Sequence, residues 1–193
     1  MYSDHVKLIN AGMRADPEVF ARGVMFAILS IRQPIDRVPE LLADLDRNGE
    51  NSIALNPAMK YDGWAYLQNH ACALWRDVCA LDTRDALVRL LAVPSLGIVK
   101  AAFVLQFLGH DIACLDTHNL RKSGLSMRAF TNHSVKGSRS IQGFTSRQID
   151  LYFAHAHGEG FAQRFWDTWC KERAPAYAMT AEQISELHLA IIQ

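Results

Sequence analysis

Apolar residues recur at helical spacing along most of the chain, and strand-like alternation is nearly absent, so the pattern predicts an all-α protein. A first helix is expected from about Asp4 to Gly12. Asp16-Pro17 opens a second, with Pro17 in a favoured first-turn position and Phe20, Val24, Ile28 and Leu29 on its apolar face; Pro34 stops it. Residues 36–47 form a third, closed by Asn48-Gly49, and a polar loop spans 50–60. A long amphipathic helix over 61–80 turns Trp64, Leu67, Ala71, Leu74, Trp75 and Val78 inward. Asp82 or Thr83 caps the next helix, which ends in a tight turn, Val93-Pro94-Ser95-Leu96-Gly97. Ile98 to Leu108 then reads as a buried helix with Ala101, Ala102, Val104, Leu105 and Leu108 as its apolar positions. An apolar approach, Ile112 to Leu115, leads to Asp116, which sits where a helix N-cap would. Residues 126–144 are rich in Ser, Gly and Asn; helices return at 146–157 and 160–173. Thr180 with Gln183 makes a capping box for a last helix over 181–191.

A chain of 193 residues, half of them hydrophobic, suffices for one unit with a proper core or two closely packed helical lobes. Formal net charge is zero, so any basic surface must be local. One stretch qualifies: Arg121, Lys122, Arg128, Lys136, Arg139 and Arg147 follow one another with no acid between them. They read as a solvated loop or as a phosphate-contacting face, and their place directly after the turn and the Asp116 segment favours the second. Cys72, Cys79, Cys114 and Cys170 form no C-x-x-C pair and sit in apolar helical contexts, which predicts buried thiols. No apolar run is long enough to span a membrane and the first residues are polar, so a cytoplasmic location is expected.

Two places carry chemistry on their own terms. Backbone N–H groups at a Gly-containing turn between helices point outward and bind phosphate. Asp116, beyond the buried helix, offers a carboxylate on the same side. His155, His157 and Glu159 lie close in sequence, but His-x-His on one helix sets the rings about 200° apart, which argues against a metal site.

The turn VPSLG followed by LDTH, residues 115–118, resembles the helix-hairpin-helix-GPD superfamily of endonuclease III-type DNA glycosylases, whose members carry L-P-G-V-G and then V-D-T-H. Residues 24–45 and 161–175 are similar to the family's early and closing helices, so the resemblance covers about 20–175. It implies a single unit, 1–193, built as two helical lobes with the hairpin and Asp116 at the mouth of the cleft between them. It implies double-stranded DNA as partner and a monomer. Ser95, Gly97, Val99, Lys100, Arg121 and Lys122 become DNA-binding candidates. Gln33 is one residue late for the family's I-L-S-x-Q element; it is either the residue that fills the hole left by a flipped base or an ordinary polar helix end. Asp116 becomes the catalytic residue, and His118 either orients the substrate or carboxylate or is a plain capping-turn His. Bifunctional members carry a Schiff-base Lys where this chain has Val99. Lys100 is one residue later, about 100° around the helix, so it is expected to point elsewhere, as a phosphate contact or a snorkelling side chain, and no lyase activity is expected. Only Cys170 lies where relatives hold a four-cysteine iron–sulfur cluster, so no cluster and no resident cofactor is expected; a monovalent cation at the hairpin is the one ion the resemblance admits.

Two activities fit these residues. One is a monofunctional glycosylase: Asp116, water and a flipped damaged base. The other resembles a phage branch of the superfamily, acting in the host cytoplasm, which joins an amine such as an amino acid to pyrophosphorylated 5-hydroxymethyl-uracil in DNA. Arg128, Lys136 and Arg139 would then face the departing pyrophosphate. Compactness, the missing cluster, the missing Lys and the LDTHNLR variant lean toward the second. A DNA-binding module without catalysis needs the hairpin but not the Asp.

Overall fold

Prolines and capping side chains set the helix boundaries. In the computed structural model, which describes residues 2–117, 119, 120 and 144–193, the elements are α1 (Tyr2–Ala15), α2 (Pro17–Leu29), α3 (Val38–Asn48), α4 (Ala58–Ala80), α5 (Thr83–Leu90), α6 (Ile98–Phe107), α7 (Ser146–Ala156), α8 (Phe161–Arg173) and α9 (Ala181–Leu187). The protein is all-α, with no strand among the described residues. Asp16 accepts a hydrogen bond from the Glu18 backbone N–H at the start of α2, and Asp82 caps α5 by accepting from Asp85. Both halves of the Thr180–Gln183 capping box are made. A second box, Thr145 with Gln148, opens α7.

Four expectations are corrected. α1 runs through Gly12 to Ala15, because that glycine is a packing position: a Cβ there would lie 3.0 Å from Ile192 Cγ2. The polar 50–60 segment folds into two 3-10 turns, Gly49–Asn51 and Ile53–Leu55, gathered around Asp44, whose carboxylate accepts from Ser52 Oγ and the Ile53 N–H. The last helix stops at Leu187 and tightens into a 3-10 turn, His188–Ile191. Among the cysteines, Cys170 is buried and Cys79 and Cys114 are half-buried, but Cys72 is exposed on α4 rather than buried.

One apolar core draws on every helix. Phe20, Phe26, Ile28, Leu74, Val104 and Leu105 are fully enclosed in it. α2 and α6 are its axis, apolar nearly all round as helices are when others surround them. Gly63 lets α4 close on them: a Cβ there would meet Pro94 O and Ile28 Cδ1, each at 2.8 Å. Lys60, one turn earlier, is buried with them, donating from Nζ to Leu29 O at the end of α2. A cation suits that negative helix end, although burial pushes its pKa down. Among the described residues no helix is long and apolar enough to cross a membrane.

Candidate active site

The turn at 93–97 lies between α5 and α6. Its glycine has no special backbone role: Gly97 is extended (φ −71°, ψ 168°) and caps α6. The left-handed residue is Ser95 (φ 70°), whose Oγ donates to Met59 O and ties the turn to α4. Gly97 matters for space instead, since a Cβ there would meet nothing. The surface is bare at that point and open to close approach by a ligand backbone.

Asp116 is held by a strap, residues 111–116, that is fixed to the C-terminal helices. Ile112 bridges to His157, and the Ala113 N–H donates to Ala156 O. The buried Tyr152 hydroxyl donates to Ala113 O at 2.8 Å and accepts from the Leu115 N–H at 3.0 Å. Asp111 accepts from the Gly160 and Ala162 N–H groups at the start of α8, an anchor the sequence reading missed. Asp116 itself caps the next turn, accepting from the Asn119 N–H at 2.9 Å, while Asn119 Nδ2 donates to Cys114 O.

The strap and α6 face each other across a cleft of about 350 Å³. That is within the ordinary range for a small-molecule site. Gln33, Lys100 and Asp116 all line it. Ser95, Gly97 and Val99 do not; Val99 packs half-buried against the core. His118, Arg121, Lys122, Arg128, Lys136 and Arg139 lie outside the described residues, as does most of the 126–144 segment.

Lys100 is neither at the turn nor out in solvent: it lines the cleft that holds Asp116. Its Nζ donates to Ser30 Oγ at 2.8 Å and sits 5.1 Å from the centre of the Phe103 ring. Ser30 Oγ donates in turn to Ala27 O. The negative C-terminal end of α2 therefore draws the ammonium into the cleft. Lys100, Phe103 and Gln106 share one stripe of α6 at threefold spacing, and that stripe is the cleft wall. In sequence the helix reads as buried and Lys100 as a phosphate contact or snorkelling side chain, so the stripe does not stand out.

The opposite wall was not anticipated at all. Trp166 and Trp169 of α8 stack, with ring centres 5.5 Å apart and planes 15° from parallel, and both line the cleft. Arg173 stands exposed at the rim with no ion-pair partner among the described residues. His188 closes the back, 3% exposed, with ring centres of Trp166, Phe26, Phe107 and Phe103 between 4.9 and 5.7 Å away. Burial holds its imidazole down to about 3, against a smaller opposing effect from its hydrogen bond to the Ser185 backbone; Lys100 and His5 lower it further. The ring is thus neutral at physiological pH. Burial likewise lifts the Cys114 thiol to about 12 although Lys100 opposes, so it is no nucleophile there.

His155 and His157 do not converge: His157 stacks on Phe153 at 4.2 Å. No group of three metal-binding side chains occurs among the described residues. No family model matches the chain, and neither a curated protein nor a solved structure is found similar to it.

Proposed function

We propose that the protein acts on a base everted from duplex DNA into this cleft, with Asp116 as general base. The observation that carries the reading is one cleft holding the Asp116 carboxylate, the Lys100 ammonium and a stacked indole pair, with a bare helix-flanked turn before it. Bases in a duplex are inaccessible, so such enzymes turn the nucleotide out and stack it on aromatic side chains. The finer architecture, two helical lobes of the helix-hairpin-helix-GPD kind gripping the DNA backbone at 93–97, belongs to the same proposal.

The reaction we favour is amine transfer to pyrophosphorylated 5-hydroxymethyl-uracil. The amine nitrogen bonds to the exocyclic methylene carbon, the carbon–oxygen bond to pyrophosphate breaks, and the proton lost by the amine goes to Asp116. Lys100 and Arg173 favour this over simple excision. They are cations without a carboxylate partner among the described residues, suited to a departing pyrophosphate. Excision by water, with Asp116 as the same base, is the other reading.

Incubation with hydroxymethyl-uracil duplex, with and without prior pyrophosphorylation and with an amino acid present, separates them. Released pyrophosphate and a heavier base still on its sugar support transfer. A free base and an abasic site mean a glycosylase. No change in any duplex overturns both.

A further inference from the structure

The back of the cleft holds polar groups that the chemistry above leaves unused. Gln106 is 3% exposed and its carboxamide makes no hydrogen bond to the protein among the described residues, yet it is not one of the fully enclosed orphan polar groups, so its polar end keeps contact with the space it lines. It lies on α6 between Phe103 and Phe107, nearly two turns beyond Lys100, and lines both the cleft and a small cavity behind it. His188 lines the same two spaces. Its hydrogen bond to the Ser185 backbone uses the Nδ1 proton, because Nε2 is buried without a partner. A carboxamide on the wall of a cleft with no protein partner is free to bond a ligand, and it lies beside an imidazole whose Nε2 is enclosed without a partner.

We infer that Gln106 reads the edge of the ring bound in the cleft, and that the ring is a uracil-type pyrimidine presenting a carbonyl beside an N–H. This rests on the base-eversion reading above. A carboxamide carries one donor and one acceptor side by side, the complement of such an edge. The stacked Trp166 and Trp169 offer a planar ring a flat wall, and the His188 ring closes the back of the cleft behind it. Lys100 and Arg173 at the walls favour a ring with two carbonyl oxygens over one with an exocyclic amino group.

Ligand-observed NMR with 1-methyluracil, 1,3-dimethyluracil and 1-methylcytosine tests this without DNA. 1-Methyluracil should bind, and blocking the ring N–H should weaken binding about tenfold or more, the scale of one bidentate base contact. Gln106→Leu should erase that difference; Gln106→Met stands in if the first variant does not melt like the native protein. Equal binding of the two uracils, discrimination unchanged in the variants, preference for 1-methylcytosine, or no binding of the three overturns the inference. Duplex binding measured in parallel tells the failures apart. Duplex bound but pyrimidines unread sinks the Gln106 assignment alone. Pyrimidines read but duplex not bound sinks the DNA reading and leaves Gln106 standing.

Discussion

Lowering the pH should destabilise this protein through His188, and the size of the effect follows from its burial. In the unfolded chain the ring titrates near its ordinary 6.5; folded, it takes a proton only near 3. The stability gained by burying the neutral ring is full above 6.5 and is lost as pH falls toward 3. Between pH 7.5 and 5 the unfolded chain gains a proton that the folded chain refuses. That is about 1.5 units at about 1.4 kcal/mol each, so about 2 kcal/mol. His188→Phe keeps an aromatic ring among Phe26, Phe103, Phe107 and Trp166 but has nothing to titrate. Melting followed by circular dichroism at pH 7.5 and 5 is the assay. The native protein should lose about 4–8 °C more over that interval than His188→Phe. His110, also lowered by burial, titrates in both proteins and drops out of the difference. Parallel losses in the two proteins would mean that the ring is already solvated or charged in the folded chain, and the neutral back wall would go with it.

Asp116→Asn keeps the cap on Asn119 and should fold and bind duplex as the native protein does, with turnover reduced about 10²–10⁴-fold; normal turnover by mass spectrometry of the product nucleosides reduces Asp116 to a helix cap. Gly97→Val should melt unchanged, since its side chain meets open space, yet weaken duplex binding in a titration; unchanged affinity removes the turn from the interface. Lys100→Met should lower turnover more than duplex affinity, and borohydride should trap no enzyme–DNA adduct on an abasic duplex. An adduct that vanishes in Lys100→Met would make the ammonium a nucleophile instead of an anion clamp. Tyr152→Phe leaves a buried N–H and a buried carbonyl on the strap each short of a partner, costing about 1–3 kcal/mol in denaturant unfolding.

The helices were legible where local chemistry decides them: Pro17 marks a start because it has no N–H to leave unpaired, and Asp82 and the Thr180–Gln183 box mark others by satisfying free backbone groups. Asp116 was legible because a short apolar approach ends in a capping residue. The orientation of Lys100 was not. It depends on the end of α2, seventy positions earlier, and a rotation counted from a motif alignment cannot contain that. Trp166, Trp169, Arg173 and His188 were missed for a related reason: their spacing is that of an ordinary amphipathic helix and its tail. Only docking against α6 turns them into a wall. Gln106 was hidden among apolar neighbours on a helix read as core.

The strap has a mechanical meaning. Asp116 hangs from Tyr152 and Asp111, and so from α7 and α8, whereas Lys100 is moored to the end of α2. The carboxylate and the ammonium therefore ride on separate frames. Any tilt of α7 and α8 against the central helices is converted directly into a change in the gap between the two charges. A ring bound as proposed would meet Trp166 on one frame and Phe103 on the other, so filling the cleft would bear on the spacing of its two charged walls.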